Sequence, residues 1–326
     1  MTLTLASLSV VLSRRRVFLT GGTGFFGKWL LYSFLGLRRC GVDVSVTVLS
    51  RDPRRLLEAC PEFFGQVGLD FVTGDVRDFE FPAGSFDYVI HAATEASAKL
   101  DLENPDEMTS VIVDGTRRVL DFSKQADIKR LLYVSSGAVY GVQPPELSHI
   151  PETFPCNPVT AYGKGKLAAE QLCLKSGVET VLARPFAFVG PWLPLDAHFA
   201  VGNFIRNCLR NESIEIKGDG TPLRSYMYGT DLAEWLWTIL LRGEPSRAYN
   251  VGSDQAISIS DLAHLVRDCA GTKNEIIVHG KKIDGTLPAR YVPSVDRAGN
   301  ELSLCQRVSL SDAIRQTIGW YRADFI

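Results

Sequence analysis

Residues 16–27 read RVFLTGGTGFFG, and this stretch decides the fold. A short apolar run, residues 17–20, leads into a turn with glycines at positions 21, 24 and 27. A helical segment follows and begins near Phe25. Runs of this length that are apolar nearly throughout are typical of strands covered by helices on both faces. The stretch therefore predicts a strand, a tight glycine turn and a helix in direct succession.

The same alternation continues along the chain. Further apolar runs lie at residues 44–50, 69–73, 88–92, 131–135 and 180–183. Helical stretches separate them, and the clearest, residues 105–126, places its apolar side chains at helical spacing. Strands that alternate with helices predict parallel βαβ units and a doubly wound α/β sheet. After Pro185 the alternation becomes less regular, which predicts a boundary near residues 185–200 and a smaller C-terminal lobe.

Composition narrows the class of protein. The 326 residues are 45% apolar and 22% charged, with a net charge of −2, which disfavours general nucleic-acid binding because that role needs an excess of Lys and Arg. The seven cysteines are scattered and odd in number. This pattern favours reduced thiols in a cytoplasmic protein over a disulfide framework or a metal site.

The first thirteen residues are mildly apolar and precede Arg14, Arg15 and Arg16. A signal peptide would place its positive charge before the apolar run, and a membrane span needs about 20 apolar residues. We therefore expect residues 1–13 to be a loosely ordered extension, and we expect no association with a membrane.

The glycine turn predicts a cradle for a dinucleotide. Glycine removes side chains where the backbone must approach a pyrophosphate and where the helix must touch the strand, and the amides at a helix start favour phosphates. A flexible turn is the alternative, but the position between a strand and a helix favours cofactor binding. The predicted contacts are Gly21, Thr23, Gly24, Phe25, Phe26 and Gly27.

The residues at the end of the second strand are expected to contact the adenosine ribose, so they indicate whether the cofactor is NAD or NADP. An acidic residue there would bind the ribose hydroxyls of NAD, whereas a 2′-phosphate requires positive charge. This chain has Ser50 at that place, followed by Arg51, and a hydroxyl beside a guanidinium favours NADP over NAD. Two alternatives stay open: Arg51 points to solvent, or Asp52 is the ribose ligand because the strand register differs by two.

Other strand ends complete the predicted cofactor site. Asp75 follows the third strand, where a carboxylate can accept from the adenine amino group. The fourth strand ends in His91 and three small residues that leave room for the nicotinamide ribose, and we interpret His91 as a packed strand residue rather than a catalyst. The further predicted cofactor contacts are Val76, Ala92, Ala93, Thr94, Ser135, Pro185 and the catalytic residues Tyr162 and Lys166.

A second group of residues predicts the chemistry. The fifth strand closes on Ser135-Ser136, and a helix later opens with Tyr162 and Lys166, which share a helical face because they are four residues apart. A free phenol has a pKa of about 10 and is a poor base near neutrality. A neighbouring ammonium and a nicotinamide cation favour the phenolate. Tyr162 can then exchange the alcohol proton while Ser136 orients the carbonyl oxygen and Lys166 holds the nicotinamide ribose.

Taken together, these motifs resemble the extended short-chain dehydrogenase/reductases, in particular the nucleotide-sugar epimerase/dehydratase group. The resemblance covers nearly the whole chain and rests on motifs in a fixed order. They are residues 20–27, 74–76, 91–93, 133–141, 162–166 and 184–186, and then 218–226, 229–231, 249–252 and 318–320.

The resemblance implies site residues and a domain plan. It makes Ser136, Tyr162 and Lys166 the catalytic trio, and Arg224, assisted by Arg290, the group that grips the nucleotide diphosphate. The dinucleotide-binding domain would span residues 14–185 and the nucleotide-sugar lobe residues 186–326, with some segments returning to the first domain. Substrate contacts are expected at Ser136, Tyr162, Phe188, Asn203, Arg224 and Arg290, with Phe186, Trp192 and His198 as further candidates.

The resemblance also implies a homodimer. In this group, helices such as those at residues 105–126 and 160–176 pair two subunits through a four-helix interface. Judged without the resemblance, the two helices are ordinary sheet cover and Arg224 is a surface charge.

Two departures from the group narrow the reaction. Sugar 4,6-dehydratases carry an acidic pair directly after the catalytic hydroxyl residue, and this chain has Gly137-Ala138, which disfavours dehydration. The group often has Asn after the Arg-Pro-Phe segment, and this chain has Ala187, which indicates an altered sugar pocket.

Three hypotheses follow for the function. The first is an NADPH-dependent reductase of a nucleotide-linked 4-keto-6-deoxyhexose, because a reductase exchanges its cofactor and usually uses NADPH. The second is a nucleotide-sugar epimerase that recycles tightly bound NAD. The third is a non-catalytic dinucleotide-binding protein, since fold alone does not fix function. The presence of Ser136, Tyr162 and Lys166 disfavours the third.

Overall fold

The computed structural model describes residues 3–94, 98–197, 199–283 and 285–324 of the chain. The strands are β1 (Arg15–Thr20), β2 (Val44–Ser50), β3 (Leu69–Thr73), β4 (Tyr88–His91), β5 (Arg130–Val134), β6 (Thr180–Pro185), β7 (Phe188–Val189), β8 (Ile214–Ile216), β9 (Leu223–Arg224), β10 (Met227–Tyr228), β11 (Ala248–Val251), β12 (Ile257–Ser258), β13 (Ile276–Val278) and β14 (Arg290–Tyr291). The helices are α1 (Leu3–Leu12), α2 (Phe25–Arg39), α3 (Pro53–Ala59), α4 (Ala98–Glu103), α5 (Pro105–Gln125), α6 (Ala161–Lys175), α7 (Ala200–Arg210), α8 (Gly229–Arg242), α9 (Ile259–Ala270), α10 (Asp296–Leu302) and α11 (Leu310–Asp324).

The core of the fold is a seven-stranded parallel sheet in the order β11-β6-β5-β4-β1-β2-β3. Apolar side chains of α2 and α8 pack on one face of the sheet, and those of α5 and α6 pack on the other. Because both faces are covered, the strands are apolar nearly throughout. The predicted doubly wound α/β fold is confirmed.

The six strands expected from the apolar runs are present. The second and third strands have the predicted ends, and the other four differ by one or two residues: the fourth strand ends at His91 and the sixth extends to Pro185. The seventh strand, β11, comes from a motif that follows the predicted boundary, and its Asn250 lies opposite Arg184 of β6.

The elements after β6 also form smaller sheets with a separate apolar cluster. This cluster joins α7, α9 and α11, with Phe204, Leu262 and Ile314 buried within it. One of the small sheets has the strand order β12-β9-β14. The division of the chain at residue 185 stays a prediction, because α8 and β11 pack with the large sheet.

The expectation of a loosely ordered extension is wrong for residues 3–12. They form α1, whose Leu8 and Leu12 are buried in the cluster that includes α2 and α8. These two leucines are four residues apart and therefore share a helical face, so both can pack against α2 and α8 although the apolar run is short. Within the described ranges, no helix combines the length and the apolar character that crossing a bilayer requires.

Candidate functional site

The glycine turn is a backbone cradle packed against the end of β4. Gly21 has a φ of 75°, and a Cβ atom there would lie 2.5 Å from the carbonyl carbon and oxygen of Ala92. A Cβ atom on Gly27 would collide with the carbonyl oxygen of Gly21. Helix α2 starts directly after Gly24 without a side-chain cap, so its first-turn amides are available to a ligand. These features fit the pyrophosphate of a dinucleotide.

The side chains around the cradle differ in exposure. Thr23 and Gly24 are exposed at its mouth, whereas Phe25 and Phe26 are half-buried. Phe188 is buried, and its ring packs edge-on against Phe26 with the ring centroids 5.0 Å apart. The structure thus places Phe188 beneath the cradle, and its predicted contact with substrate stays a prediction.

The predicted adenosine end of the site has Ser50 as the last residue of β2. Its side chain is buried, its Oγ accepts a hydrogen bond from the Asp52 amide at 3.1 Å, and Arg51 beside it is exposed. Asp52 caps α3, because its Oδ1 accepts from the amides of Arg54 and Arg55 at 3.1 and 3.5 Å. The strand register is therefore the expected one, and Asp52 already has a structural role.

Asp75 follows β3 and is held by Arg77. The Arg77 amide, Nε and Nη2 donate to the Asp75 carboxylate at 3.0, 2.9 and 3.1 Å. These hydrogen bonds lower the pKa of Asp75 against the opposing effect of its burial, and Arg51 adds a smaller contribution, so the carboxylate stays an acceptor. Val76 is buried against Gly115 of α5. The contact of Asp75 with adenine stays a prediction.

The end of β4 lies where the nicotinamide ribose was expected. Thr94 Oγ1 donates to the Ala93 carbonyl oxygen at 2.6 Å, in the segment that includes Ala92. His91 is buried between Thr20 and Thr116, and burial together with the nearby Lys166 lowers its pKa to about 3. His91 is therefore neutral, in agreement with its interpretation as a packed strand residue.

The next strand, β5, is followed by a hydroxyl that suits a ligand. Ser135 is buried, and its Oγ has no hydrogen-bond partner within the described part of the chain. A buried hydroxyl without a partner is uncommon in folded proteins. Pro185, the last residue of β6, lies on the neighbouring strand. The positions of both residues fit the predicted cofactor contacts.

The predicted catalytic tyrosine and lysine are positioned by the first turns of α6. Asp101 Oδ1 accepts from the Tyr162 amide at 2.6 Å, which ties α4 to the start of the helix. One turn later, Lys166 Nζ donates to Thr94 Oγ1 and to the Val134 carbonyl oxygen, both at 2.8 Å. This ammonium lies 5.8 Å from the centre of the Tyr162 ring. The ends of β4 and β5 therefore converge on the face of α6 that carries both side chains.

Burial controls the ionisation of this group. It raises the pKa of Tyr162, and a hydrogen bond with Ser136 opposes this rise. It lowers the pKa of Lys166 to about 7, and the carboxylate of Glu170 opposes that change. Ser136 also starts the 3-10 turn Gly137–Tyr140, because its Oγ accepts from the Ala138 amide at 3.1 Å. The structure thus brings the three predicted catalytic residues together.

A second phenol, Tyr291, was not anticipated from the sequence. It lies on β14, opposite Arg224 of β9, and stacks on Phe186 with the ring centroids 4.6 Å apart. Burial raises the pKa of Tyr291, as does the nearby Tyr162, whereas a hydrogen bond with Ser136 lowers it. A Cβ atom on Gly137 would lie 2.7 Å from Tyr291 Oη. Ser136 therefore lies between two phenols, and only the pairing of two very short strands places the second one there.

The predicted diphosphate residues lie on neighbouring short strands. Arg290 is opposite Leu223, the residue before Arg224. The Arg224 guanidinium donates to the Leu223 carbonyl oxygen at 2.8 Å, and Arg290 Nε donates to that of Pro145 at 3.0 Å. Both side chains are half-buried, as is Asn203 on α7. Their roles toward a diphosphate or sugar stay predictions.

Of two further candidate substrate contacts, Trp192 and His198, the structure describes only Trp192. Trp192 packs edge-on against Trp29 of α2, with the ring centroids 5.1 Å apart. His198 lies outside the described residues.

Comparison with known proteins agrees with this geometry. Residues 17–252 match the NAD dependent epimerase/dehydratase family. UDP-glucuronic acid decarboxylase 1 of Xenopus tropicalis is 28% identical over 95% of this chain and 73% of its own length. dTDP-D-glucose 4,6-dehydratase of Bos taurus is 26% identical over 95% of this chain and 90% of its own length. The structure of MoeE5 in complex with UDP-glucose and NAD superposes with a TM-score of 0.80 at 25% identity, covering 95% of this chain and all of that one. The resemblance and the prediction of an enzyme are confirmed: the chain belongs to the NAD-dependent epimerase/dehydratase family.

Proposed function

We propose that this protein reduces a nucleotide-linked 4-keto-6-deoxyhexose with NADPH. The end of β2 is the observation that supports NADPH, and the choice of NADPH in turn supports reduction. There, buried Ser50 precedes exposed Arg51, and Asp52 caps α3. A hydroxyl and a guanidinium suit a 2′-phosphate, whereas no carboxylate ends the strand to bind two ribose hydroxyls.

The arrangement of the side chains suits carbonyl reduction. Thr94 and Lys166 would hold the ribose of a bound nicotinamide cofactor, which would supply the hydride that the carbonyl carbon accepts. Tyr162 Oη donates its proton to the carbonyl oxygen, so the product is an alcohol and the phenol becomes a phenolate. Ser136 Oγ orients that oxygen, and the Lys166 ammonium stabilises the phenolate until it regains a proton.

The surroundings of Gly137 support reduction over elimination of water. A side chain there would meet Tyr291 Oη at 2.7 Å and the Phe186 ring at 2.9 Å. An acidic residue at this position, which the dehydratase pattern calls for, therefore has no space. Without an acid at this position, Tyr162 is the proposed proton donor.

An NAD-dependent nucleotide-sugar epimerase is the second candidate. The observation that favours NAD over NADPH, and through it this candidate, is the similarity to MoeE5, which is 25% identical and was solved with UDP-glucose and NAD. An epimerase returns the hydride to its own substrate, so it would show bound cofactor and no net consumption of NADPH. A purely binding role is disfavoured by the assembled Ser136, Tyr162 and Lys166.

We further propose a cytoplasmic homodimer that pairs through α5 and α6. The two helices pack closely, because Gly165 of α6 allows Ile112 of α5 to approach, with Ile112 Cδ1 3.1 Å from the place of a Cβ atom. A rigid helix pair of this kind suits a four-helix interface. Sedimentation analysis tests it, and a monomer at micromolar concentration would contradict it.

The first experiment is isothermal calorimetry of the purified protein with NADPH and with NADH, after a check for bound cofactor. We expect NADPH to bind at least about tenfold more tightly, a difference of about 1.4 kcal/mol. Arg51→Ala should remove most of this preference, whereas Arg210→Ala, which changes an exposed arginine at the end of α7, should leave it intact.

Turnover then separates the two reactions. With a nucleotide-linked 4-keto-6-deoxyhexose, the reductase consumes one NADPH for each alcohol formed. Copurifying NAD, together with interconversion of sugar epimers and no NADPH consumption, would replace the proposal with the epimerase.

A further inference from the structure

A buried ion pair joins the helix that carries Lys166 to strand β6. Glu170 is one turn after Lys166 on α6 and is 1% exposed. Arg184 of β6 binds it through two hydrogen bonds, Nε to Oε1 at 2.9 Å and Nη2 to Oε2 at 2.7 Å. A buried pair of this kind contributes little to stability after the cost of desolvation, so its presence beside the site requires another explanation.

The pair is connected to the other elements of the cleft. Arg184 Nη1 donates to Tyr140 Oη at 3.0 Å, and Tyr140 Oη donates to Asn250 Oδ1 at 2.8 Å. Tyr140 belongs to the 3-10 turn that Ser136 starts, and Asn250 lies on β11. One buried network therefore joins α6, β6, β11 and the turn after the catalytic serine.

The groups that face Lys166 differ in charge. On β4, His91 is neutral because burial lowers its pKa to about 3. On β5, burial raises the pKa of Tyr133, and on α6 it raises those of Tyr162 and Cys173, so these three are also neutral near pH 7. Of the titratable groups named around Lys166, Glu170 alone carries a charge that stabilises the ammonium.

We propose that the Glu170–Arg184 pair is a positioning unit that favours the protonated form of Lys166 in the catalytic site. The Glu170 carboxylate compensates the burial of the ammonium. Arg184 fixes that carboxylate below the site, so Lys166 stays on Thr94 and Val134 and does not fold back onto Glu170. The inference rests on the proposed function, since it assigns Lys166 its catalytic task.

Titration of Lys166 tests the proposal. The full-length protein carries isotope-labelled lysine, and the Lys166 Cε resonance is assigned by its absence in Lys166→Met. Glu170→Gln retains the shape of the side chain but removes the negative charge beside Lys166, so the titration midpoint should fall by about one pH unit. The double variant Glu170→Gln/Arg184→Met also removes the unbalanced cation, so it should recover part of that shift but stay below the wild-type midpoint.

Tyr140→Phe is the matched control. It removes one hydrogen bond from Arg184 without changing any charge, so the midpoint should stay at the wild-type value. A wild-type midpoint in Glu170→Gln, or an equal fall in Tyr140→Phe, would show that the pair acts only through packing. Should the single variant fail to fold, the double variant is compared with Tyr140→Phe, and equal midpoints overturn the proposal.

The measurement needs no substrate, so it separates the two proposals. A protein whose Lys166 shifts as expected but which reduces no keto-sugar overturns the reductase assignment alone. If the protein is an active reductase but the Lys166 titration midpoint is unchanged in Glu170→Gln, the positioning unit alone is overturned.

Discussion

The predicted cofactor end and the predicted catalytic end of the site are built from different parts of the chain. At the cofactor end, the decisive contacts are made by backbone: Gly21 and Gly27 lie against carbonyl groups, and α2 presents its first amides. At the catalytic end, side chains from separate segments meet, with Ser136 between Tyr162 and Tyr291. A change at the first end should therefore act on packing, whereas a change at the second should act on proton transfer.

The largest expected effect is at the catalytic end. Tyr162→Phe removes the proton donor but leaves the aromatic ring, so turnover should fall about a thousandfold. NADPH affinity should remain near the wild-type value, because the cradle is unchanged. Steady-state rates and calorimetry on the same preparation check both halves of this prediction. Turnover that survives would show that another group, with Tyr291 the nearest candidate, donates the proton.

The next effect concerns stability and pH. The pKa of Lys166 is about 7 in the folded protein, below its ordinary value of 10.5. The unfolded chain therefore holds more protons between these values, and the free energy of unfolding rises with pH across that window. The variant Lys166→Met has no titrating group at this position. Relative to it, the free energy of unfolding of the wild type should rise by up to about 1.4 kcal/mol per pH unit.

Urea unfolding of both proteins at about pH 7 and about pH 9 measures this difference, and other groups cancel in the comparison. Below pH 7 the cost of burying the ammonium is present in full, and it disappears as the pH approaches the ordinary value. A constant difference between the two proteins would show that Lys166 stays protonated throughout.

A smaller effect is expected in the cradle. Gly27→Ala places a methyl group against the Gly21 carbonyl oxygen, and the free energy of unfolding without cofactor should fall by about 2 kcal/mol. Gly24→Ala is the matched control, because its methyl group would meet only the Gly21 oxygen at 3.5 Å. Equal stability of the two variants would contradict the close packing of the turn.

The smallest expected effect concerns Tyr291, the phenol that the sequence did not predict. Tyr291→Phe retains the ring that stacks on Phe186 but removes the hydroxyl beside Ser136. We expect turnover to fall about tenfold, in line with the loss of one hydrogen bond of about 1.4 kcal/mol, with NADPH affinity unchanged. An unchanged rate would limit Tyr291 to forming the wall that excludes a side chain at Gly137.

The cofactor end could be predicted from the sequence because its signals are local. A strand, a glycine turn and a helix are contiguous, and the register of β2 places Ser50 at its end as expected. The capping role of Asp52 was missed, although Asp followed by Pro53 is a typical helix start.

The catalytic end was predicted only in part. Tyr162 and Lys166 share a helix, so their spacing was informative, whereas Tyr291 reaches Ser136 through the pairing of β14 with β9, each two residues long. Helix α1 was missed for a similar reason, since its two leucines are buried only by helices that come later in the chain. Tertiary contacts of this kind leave no periodic pattern.

Strand β11 has a consequence for biosynthesis. It pairs with β6, yet more than sixty residues, including α7 and α8, are synthesised between them. Until they emerge, β6 is an open edge of an apolar parallel sheet, and such an edge invites pairing with another chain. A fragment that stops at residue 185 would keep that edge permanently and should aggregate, so the sheet is finished only after residues 186–247 have been made.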